Sequence, residues 1–472
     1  MTENSPKKDS IKEIIFDFGA NTTIHSISKQ VNPKTPVLRK LIWMCLFLAS
    51  LCYLLYQAKE LISLYGSRPV TIRNDWTTSR RLAFPAVTIC NLNPLRKSKI
   101  NNSSKFWKDI SNENSTVWGR GNSQEQHIRR ILNTFINVMN ETERRRMGHQ
   151  AKDLIVKCTW KEERCEENFT QFFTPTYGNC YTFNVRKNGE TLYATSTGDE
   201  EPLALTLNVE GDEYVGALSP YLGVILELHH PDIMPFPIEH GEKMSPGFST
   251  NIGISKIQFL RLGDPFSKCR NENEILYTTN KRYSVNACLR LCEANTSIEK
   301  CGCVKPIYDI NPACDPFNET DRACLNEMED SSLEKALLEC KCYPPCSETV
   351  YEYSSSFSVW PSEQSWIYLK QDLENRTSRH IVSSLKKARE NLLNVHIFYK
   401  TLGFRTTLEI EGYKMENLIG DLGGQFGLFV GMSLLSLVEV FELVIDVITR
   451  LLKRDHNNVR SISIKKQVET ET

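Results

Sequence analysis

No charge of either sign is in surplus in this sequence, where 57 basic residues balance 57 acidic ones. Phosphate binding needs a basic excess, so nucleic acid is not expected as a partner. Also missing are a Ser-His-Asp arrangement, a glycine-rich phosphate loop and a zinc-protease signature. Enzyme function is therefore not expected, and neither is a cofactor. There is no internal repeat and no low-complexity tract. None of the 16 cysteines forms a Cys-x-x-Cys pair, which argues for disulfides over a zinc reading of Cys301-x-Cys303 and Cys340-x-Cys342.

Long apolar runs are also scarce, and the two present are informative. Residues 41–58 carry no charge and are flanked by Arg39-Lys40 and Lys59-Glu60. They lie too far from the N-terminus for an ordinary signal peptide and lack a small-residue cleavage site, so they read as an uncleaved span. The second run opens at Gly420-Asp421-Leu422-Gly423-Gly424-Gln425-Phe426-Gly427-Leu428-Phe429-Val430-Gly431-Met432-Ser433 and continues to about residue 452. Basic residues precede the first span (Lys7, Lys8, Lys12, Lys29, Lys34, Arg39, Lys40) and follow the second (Arg450, Lys453, Arg454, Lys465, Lys466). That bias puts both termini in the cytoplasm and the intervening chain outside.

Two further signals agree with an exterior location. Glycosylation sequons stand at Asn101, Asn102, Asn114, Asn140, Asn168, Asn295, Asn318 and Asn375, all between the spans. The sequon at Asn21 is cytoplasmic and should be silent. Cys45 and Cys52 fall in the first span, and the other fourteen cysteines, an even number, lie between Cys90 and Cys346. An oxidising exterior would pair them, although spacing leaves the connectivity open.

The chain therefore divides into a cytoplasmic tail (1–40), a first transmembrane helix (41–65) and a cysteine-rich exterior (66–415). A second, pore-lining span (416–452) and a cytoplasmic tail (453–472) follow. The exterior is too long for one simple module. Residues 84–91 read as a strand, 103–158 as a charged helical region and 181–259 as β-rich. Strands are expected at 350–353 and 395–410, with helices at 332–339 and 379–393. His229-His230 reads as a surface pair.

In the second apolar run, Gly423, Gly427 and Gly431 fall four apart, so a helix would stack them on one face. Glu439, Glu442 and Asp446 follow at steps of three and four, again on one face. Carboxylates are costly in lipid and should meet a neighbour or a water-filled path. A narrowing glycine face followed by an acidic face suits a cation pore. Helix packing is the alternative reading for the glycines, and snorkelling to the interface is the alternative for Glu442 and Asp446.

These pieces resemble the degenerin/epithelial sodium channel family, including its acid-sensing and cnidarian peptide-gated (RFamide-gated) branches. Phe84-Pro85-Ala86-Val87-Thr88-Ile89-Cys90-Asn91-Leu92-Asn93, with Arg96 and Ser98, is similar to the family's post-span signature. The run from Gly420 to Ser433 is similar to its pore signature. The resemblance implies an α+β membrane protein with two transmembrane helices. It also implies a large disulfide-rich extracellular domain of palm, knuckle, finger, β-ball and thumb, in a trimeric channel.

By resemblance, Gly431-Met432-Ser433 is the selectivity filter. Gly420, Asp421, Gly424 and Gly427 line the pore and gate, with Asp421 as an outer ring that could hold calcium. Glu439, Glu442 and Asp446 line the inner vestibule. His25-Ser26 takes the place of the family's His-Gly gating pair, with Ser26 where the family has glycine. The implied disulfides are Cys90–Cys180, Cys158–Cys165, Cys269–Cys346, Cys288–Cys342, Cys292–Cys340, Cys301–Cys324 and Cys303–Cys314. The implied function is an amiloride-sensitive sodium channel subunit, calcium permeability being open, in a homo- or heterotrimer at the plasma membrane. Asp212-Glu213-Tyr214 is kept from the proton-sensing branch, but Ala217-Leu218-Ser219-Pro220-Tyr221 stands where further acids are expected. The compact exterior and short tails resemble the cnidarian peptide-gated channels, which implies an RFamide-type peptide as the opening signal, with proton gating or constitutive opening as alternatives. An ATP-gated trimeric receptor and a non-conducting two-pass receptor or adhesion protein are the rivals from other classes.

Overall fold

The structure is a computed structural model. It describes residues 11–22, 30, 35–99, 141–174, 176–186, 191–214, 219–271, 275–276, 281–304, 312, 314, 318–328, 340–377, 382–433 and 435–452. The chain forms two compact units, one of residues 1–71 with 410–472 and one of residues 72–409.

The first unit is helical. Pro36 starts a 30-residue helix, Val37–Gly66, which is long and apolar enough to cross a membrane and has only 6% of its most apolar window buried. Most of its leucines and tyrosines point outward, as lipid would require. The second apolar run is not one helix. Met415–Val430 and Leu435–Leu452 meet at a break and are bent by 77°, and they are long and apolar enough to span only when taken together. Leu54 and Val430 are buried against Phe47, Leu51, Phe429 and Met432 where the helices Val37–Gly66 and Met415–Val430 pack. A further helix, Ile11–Asn21, belongs to the same unit.

The second unit is built on two sheets. The larger has eight strands. Its path runs Val70–Thr78, Gly403–Glu411, Phe248–Leu260, Leu392–Tyr399, Leu203–Asn208, Ile155–Trp160 and Glu163–Arg164, with Ser347–Val359 paired off this path to Phe248–Leu260. Phe248–Leu260 organises it. All thirteen of its residues pair antiparallel with Ser347–Val359. Its first half pairs parallel with Leu392–Tyr399 and its second half with Gly403–Glu411. The smaller sheet is antiparallel, in the order Glu242–Met244, Val224–His229, Ala86–Asn91, Gly178–Phe183 and Phe169–Thr174.

Alternation explains the core between them. Leu203, Leu205 and Leu207 sit opposite Ile397, Val395 and Leu393 in register, and all six are fully buried with Val87, Ile89, Leu226 and Phe183. Each such side chain contributes roughly 1.5–3 kcal/mol.

Seven disulfides staple this unit, joining the pairs that the family resemblance implies. Cys90 and Cys180 are cross-strand neighbours. Cys288 and Cys292 lie one turn apart on the helix Val285–Cys301, so they face the same partner segment through Cys342 and Cys340. That helix is capped by Ser284, whose hydroxyl accepts from the Ala287 N–H, and it stops at Gly302 in the left-handed region. Asn318 caps the helix Glu319–Glu327 in the same way, accepting from Thr320. Cys45 and Cys52 are free.

Several expectations are corrected. Residues 155–158 are strand, not helix, because Ile155, Lys157 and Cys158 pair with Leu207, Thr206 and Leu205. The expected strand at 395–410 is two strands separated by a turn. Within 379–393 the described helix is only Leu385–Asn391, while an unforeseen helix occupies Glu363–Thr377. The expected helix at 332–339 lies outside the described residues.

Candidate functional site

The break in the second apolar run falls on Gly431-Met432-Ser433. Gly431 ends the helix Met415–Val430 with φ +72°, a conformation that suits glycine. Its N–H bonds to Gly427 O at 3.1 Å, and the Met432 N–H reaches Phe426 O at 3.2 Å. Ser433 then starts the next helix. Its Oγ accepts from the Ser436 N–H at 3.2 Å, and its own N–H donates to Ser436 Oγ at 3.0 Å. This is reciprocal serine capping. Gly431 is thus not on the helical face expected from the four-residue spacing. It is the hinge that ends that face.

Gly423 and Gly427 do lie on the helix, with Gly420 and Gly424. A Cβ at Gly420, Gly423 or Gly424 would meet no atom within 4 Å, and one at Gly427 would meet only Met432 O at 3.9 Å. These glycines are therefore not required for packing inside the single chain. Asp421 is exposed and accepts from the Tyr413 hydroxyl at 2.7 Å. Gln425 has a buried Oε1 without a hydrogen-bond partner.

Glu439, Glu442 and Asp446 share one face, and they line a cavity of about 540 Å³ with Leu443 and Arg450. The opposite wall is the N-terminal helix, through Ile14, Asp17, Phe18, Asn21 and Thr22. Thr22 Oγ1 donates to Glu439 Oε2 at 3.3 Å. Composition alone gave no sign that residues 14–22 would meet residues 439–450, more than 400 positions away. His25 and Ser26 lie outside the described residues.

In the second unit, the post-span signature is a hydrogen-bonding hub. Asn91 Nδ2 donates to Val209 O at 2.9 Å, and Asn91 Oδ1 accepts from the Tyr214 hydroxyl at 2.6 Å. Asn93 Nδ2 lies at hydrogen-bonding distance from Leu95 O, Glu213 O and His149 Nε2. The two carbonyls fix the amide orientation, so His149 Nε2 accepts and Nδ1 carries the proton. Nδ1 lies 2.6 Å from Glu210 Oε2, with the His149 side chain 1% exposed. Around this pair, Arg96 N–H donates to Met147 O at 3.0 Å, Arg96 pairs with Asp153 at 3.4 Å, and Glu213 Oε2 accepts from Ser98 N–H at 2.8 Å. Residues 93–99 and 144–153 are thereby clasped together.

The acids considered for proton sensing are engaged singly. Asp212 pairs with Lys387 at 3.1 Å, and Glu213 caps Ser98. His229 is buried, correcting the surface reading. Its Nε2 lies 2.8 Å from Thr88 Oγ1, which lies 2.8 Å from Thr182 Oγ1. Burial pushes the His229 pKa down to about 4 and the Glu227 carboxyl up to about 8. Of the sequons, Asn168, Asn295, Asn318 and Asn375 are exposed. Asn101, Asn102, Asn114 and Asn140 lie outside the described residues.

Comparison with known proteins adds the family. The sequence pattern of the amiloride-sensitive sodium channel family matches residues 18–443. Acid-sensing ion channel 2 of Rattus norvegicus is 29% identical, over 94% of this chain and 89% of its own. Acid-sensing ion channel 1A of Danio rerio is 28% identical, over 93% and 89%. The FMRFamide-activated amiloride-sensitive sodium channel of Cornu aspersum is 27% identical, over 92% and 83%. The family is one of multimeric, sodium-conducting membrane channels rather than of enzymes, and this chain belongs to the amiloride-sensitive sodium channel family.

Proposed function

We propose that the chain is one subunit of a trimeric, amiloride-sensitive cation channel of the plasma membrane. Both termini are cytoplasmic and three copies of residues 416–452 enclose the pore. The observation that carries this reading is the non-helical break at Gly431-Met432-Ser433 inside an apolar run. In a bilayer, irregular backbone stands only where protein buries it or water reaches it. Backbone carbonyls there could replace part of an ion's hydration shell. The open space around Gly420, Gly423 and Gly424 suits a face turned to the pore axis or to neighbouring copies. Asp421 forms the outer ring, a candidate calcium site, and Glu439, Glu442 and Asp446 draw cations at the inner end.

The opening signal in this reading is an extracellular amidated RFamide-type peptide. It is supported by the single engagement of Asp212 and Glu213, since proton sensing by carboxylates needs close like-charged pairs. A second reading, proton activation, is favoured by the similarity to acid-sensing ion channels over more than nine-tenths of the chain. Expression in oocytes, alone and with related subunits, separates them. Peptide-evoked sodium current blocked by amiloride is the expected result, and current evoked by acid alone supports the second reading. A non-conducting receptor or adhesion protein would pass no current in any combination.

A further inference from the structure

The strand Ser347–Val359 is an edge of the larger sheet. One side of it pairs along its whole length with Phe248–Leu260, and among the described residues no strand pairs with the other side. The two halves of this strand differ. In the first, Glu348 pairs with Arg261 at 2.9 Å, Tyr351 is buried, and Glu352 lies 3.6 Å from Arg405. The Tyr353 hydroxyl then donates to Glu242 Oε1 at 2.7 Å. From Ser354 to Val359 every residue is exposed. Phe357 is 75% exposed, its ring meeting Phe248 edge to face at 5.6 Å between centroids, and Val359 is 63% exposed.

A free strand edge presents a row of unpaired N–H and C=O groups, and proteins blunt such edges with charged residues or proline. The two ends of this sheet's path are blunted in that way. Val70–Thr78 carries Arg73 and Asp75, and Glu163–Arg164 is charged at both positions. By contrast, Tyr353-Ser354-Ser355-Ser356-Phe357-Ser358-Val359 has neither a charge nor a proline, and the strand has no glycosylation sequon of its own. Its tyrosine, phenylalanine and valine suit an extended chain. An edge of this kind is an aggregation hazard unless something covers it. The family is multimeric, so every copy of this chain has others of its kind beside it.

We propose that a neighbouring copy of this chain covers residues 353–359, with Phe357 as the anchor of the contact. The inference rests on the trimeric part of the reading above and is independent of which residues line the pore. Two copies pairing this edge with itself would close a two-fold dimer. A ring of three instead sets the edge against a different surface of the next copy, the heterologous arrangement. A large aromatic in the middle of such a contact is the type of side chain that carries much of the binding energy, and the free edge supplies main-chain hydrogen bonds around it.

The test uses the full-length protein from a glycosylating cell, extracted in mild detergent and sized by light scattering, with protease resistance as the check on folding. Wild type should run as a trimer. Phe357→Glu should lower the trimer fraction at least fivefold while the monomer stays protease-resistant. Ser356→Asn creates a glycosylation sequon ending at Ser358, and a glycan there should block assembly to the same extent. Adding Ser358→Ala to Ser356→Asn removes the sequon and should restore the trimer, which keeps the reading clear if Phe357→Glu fails to fold. A glycosylated Ser356→Asn protein that forms trimers in normal yield overturns the proposal. If that protein has also lost its response to an RFamide peptide, the edge belongs to a peptide added as a strand. A wild type that is monomeric overturns the trimeric reading together with this one, whereas trimers in wild type and in every folded variant overturn this one alone.

Discussion

Glycines behave differently in the two units. In the exterior unit a Cβ at Gly178 would collide with Pro94 O, and one at Gly223 would collide with Met244 O. These glycines are needed because this chain's own backbone passes against them, and both have positive φ. In the membrane unit, Gly420, Gly423 and Gly424 face open space. Their lack of side chains serves nothing within the single chain. The exterior thus accounts for its own sequence, through core ladders, caps and seven disulfides. The second apolar run carries glycines for which contacts within the single chain supply no reason.

That contrast can be broken by experiment. The largest effect is expected at the exterior staples. Cys90→Ser removes a bridge between chain positions 90 residues apart, at a cost of about 2–5 kcal/mol, and surface biotinylation should show little mature protein. Cys52→Ser, at a free cysteine, should reach the surface normally. Next comes Gly178→Ala, which combines the collision with φ +68° and should cost more than about 2 kcal/mol. Gly423→Ala should fold within about 1 kcal/mol of wild type while altering current amplitude. If both glycine variants trafficked equally well, the distinction between the units would fail.

Smaller effects sharpen the picture. Glu227 is buried, with its carboxyl raised to about 8 from the usual 4.5. A group whose folded pKa is raised contributes stability below its unfolded pKa and loses that contribution as pH rises through the folded value. Between about pH 4.5 and 8, Glu227 should therefore become a growing liability. The Tm advantage of Glu227→Gln over wild type should widen from pH 5 to pH 8, by a few degrees. An advantage independent of pH would mean that the carboxyl is not protonated in the fold. Smallest is Tyr413→Phe, which removes the hydrogen bond to exposed Asp421. It should change external calcium block by no more than about threefold, in keeping with roughly 0.5 kcal/mol, with folding unaffected.

Much of the exterior and the first span was legible because their signals are local. The charge-free run at 41–58, the even cysteine count and the alternation around Leu203 and Val395 can be read from neighbours in the chain. The apolar periodicity of residues 416–452 was equally legible, but the stop within it was not. Glycine at a four-residue spacing fits a helix, and only the left-handed conformation of Gly431 shows that the helix ends there. His149, Glu210 and Asn93 are spread over more than 100 positions, so no window could bring them together. His229 looked like a surface residue because histidine is polar. Its burial depends on Thr88, which sits opposite Glu227 on the adjacent strand.

The central claim is that Gly431-Met432-Ser433 lines the ion path. Its most direct test is Ser433→Cys in whichever subunit combination conducts. The pore assignment predicts rapid block of the open channel by micromolar external cadmium, with wild type unaffected and with a changed sodium-to-potassium permeability ratio. Wild-type permeability together with no cadmium block in a channel that carries normal current would contradict it.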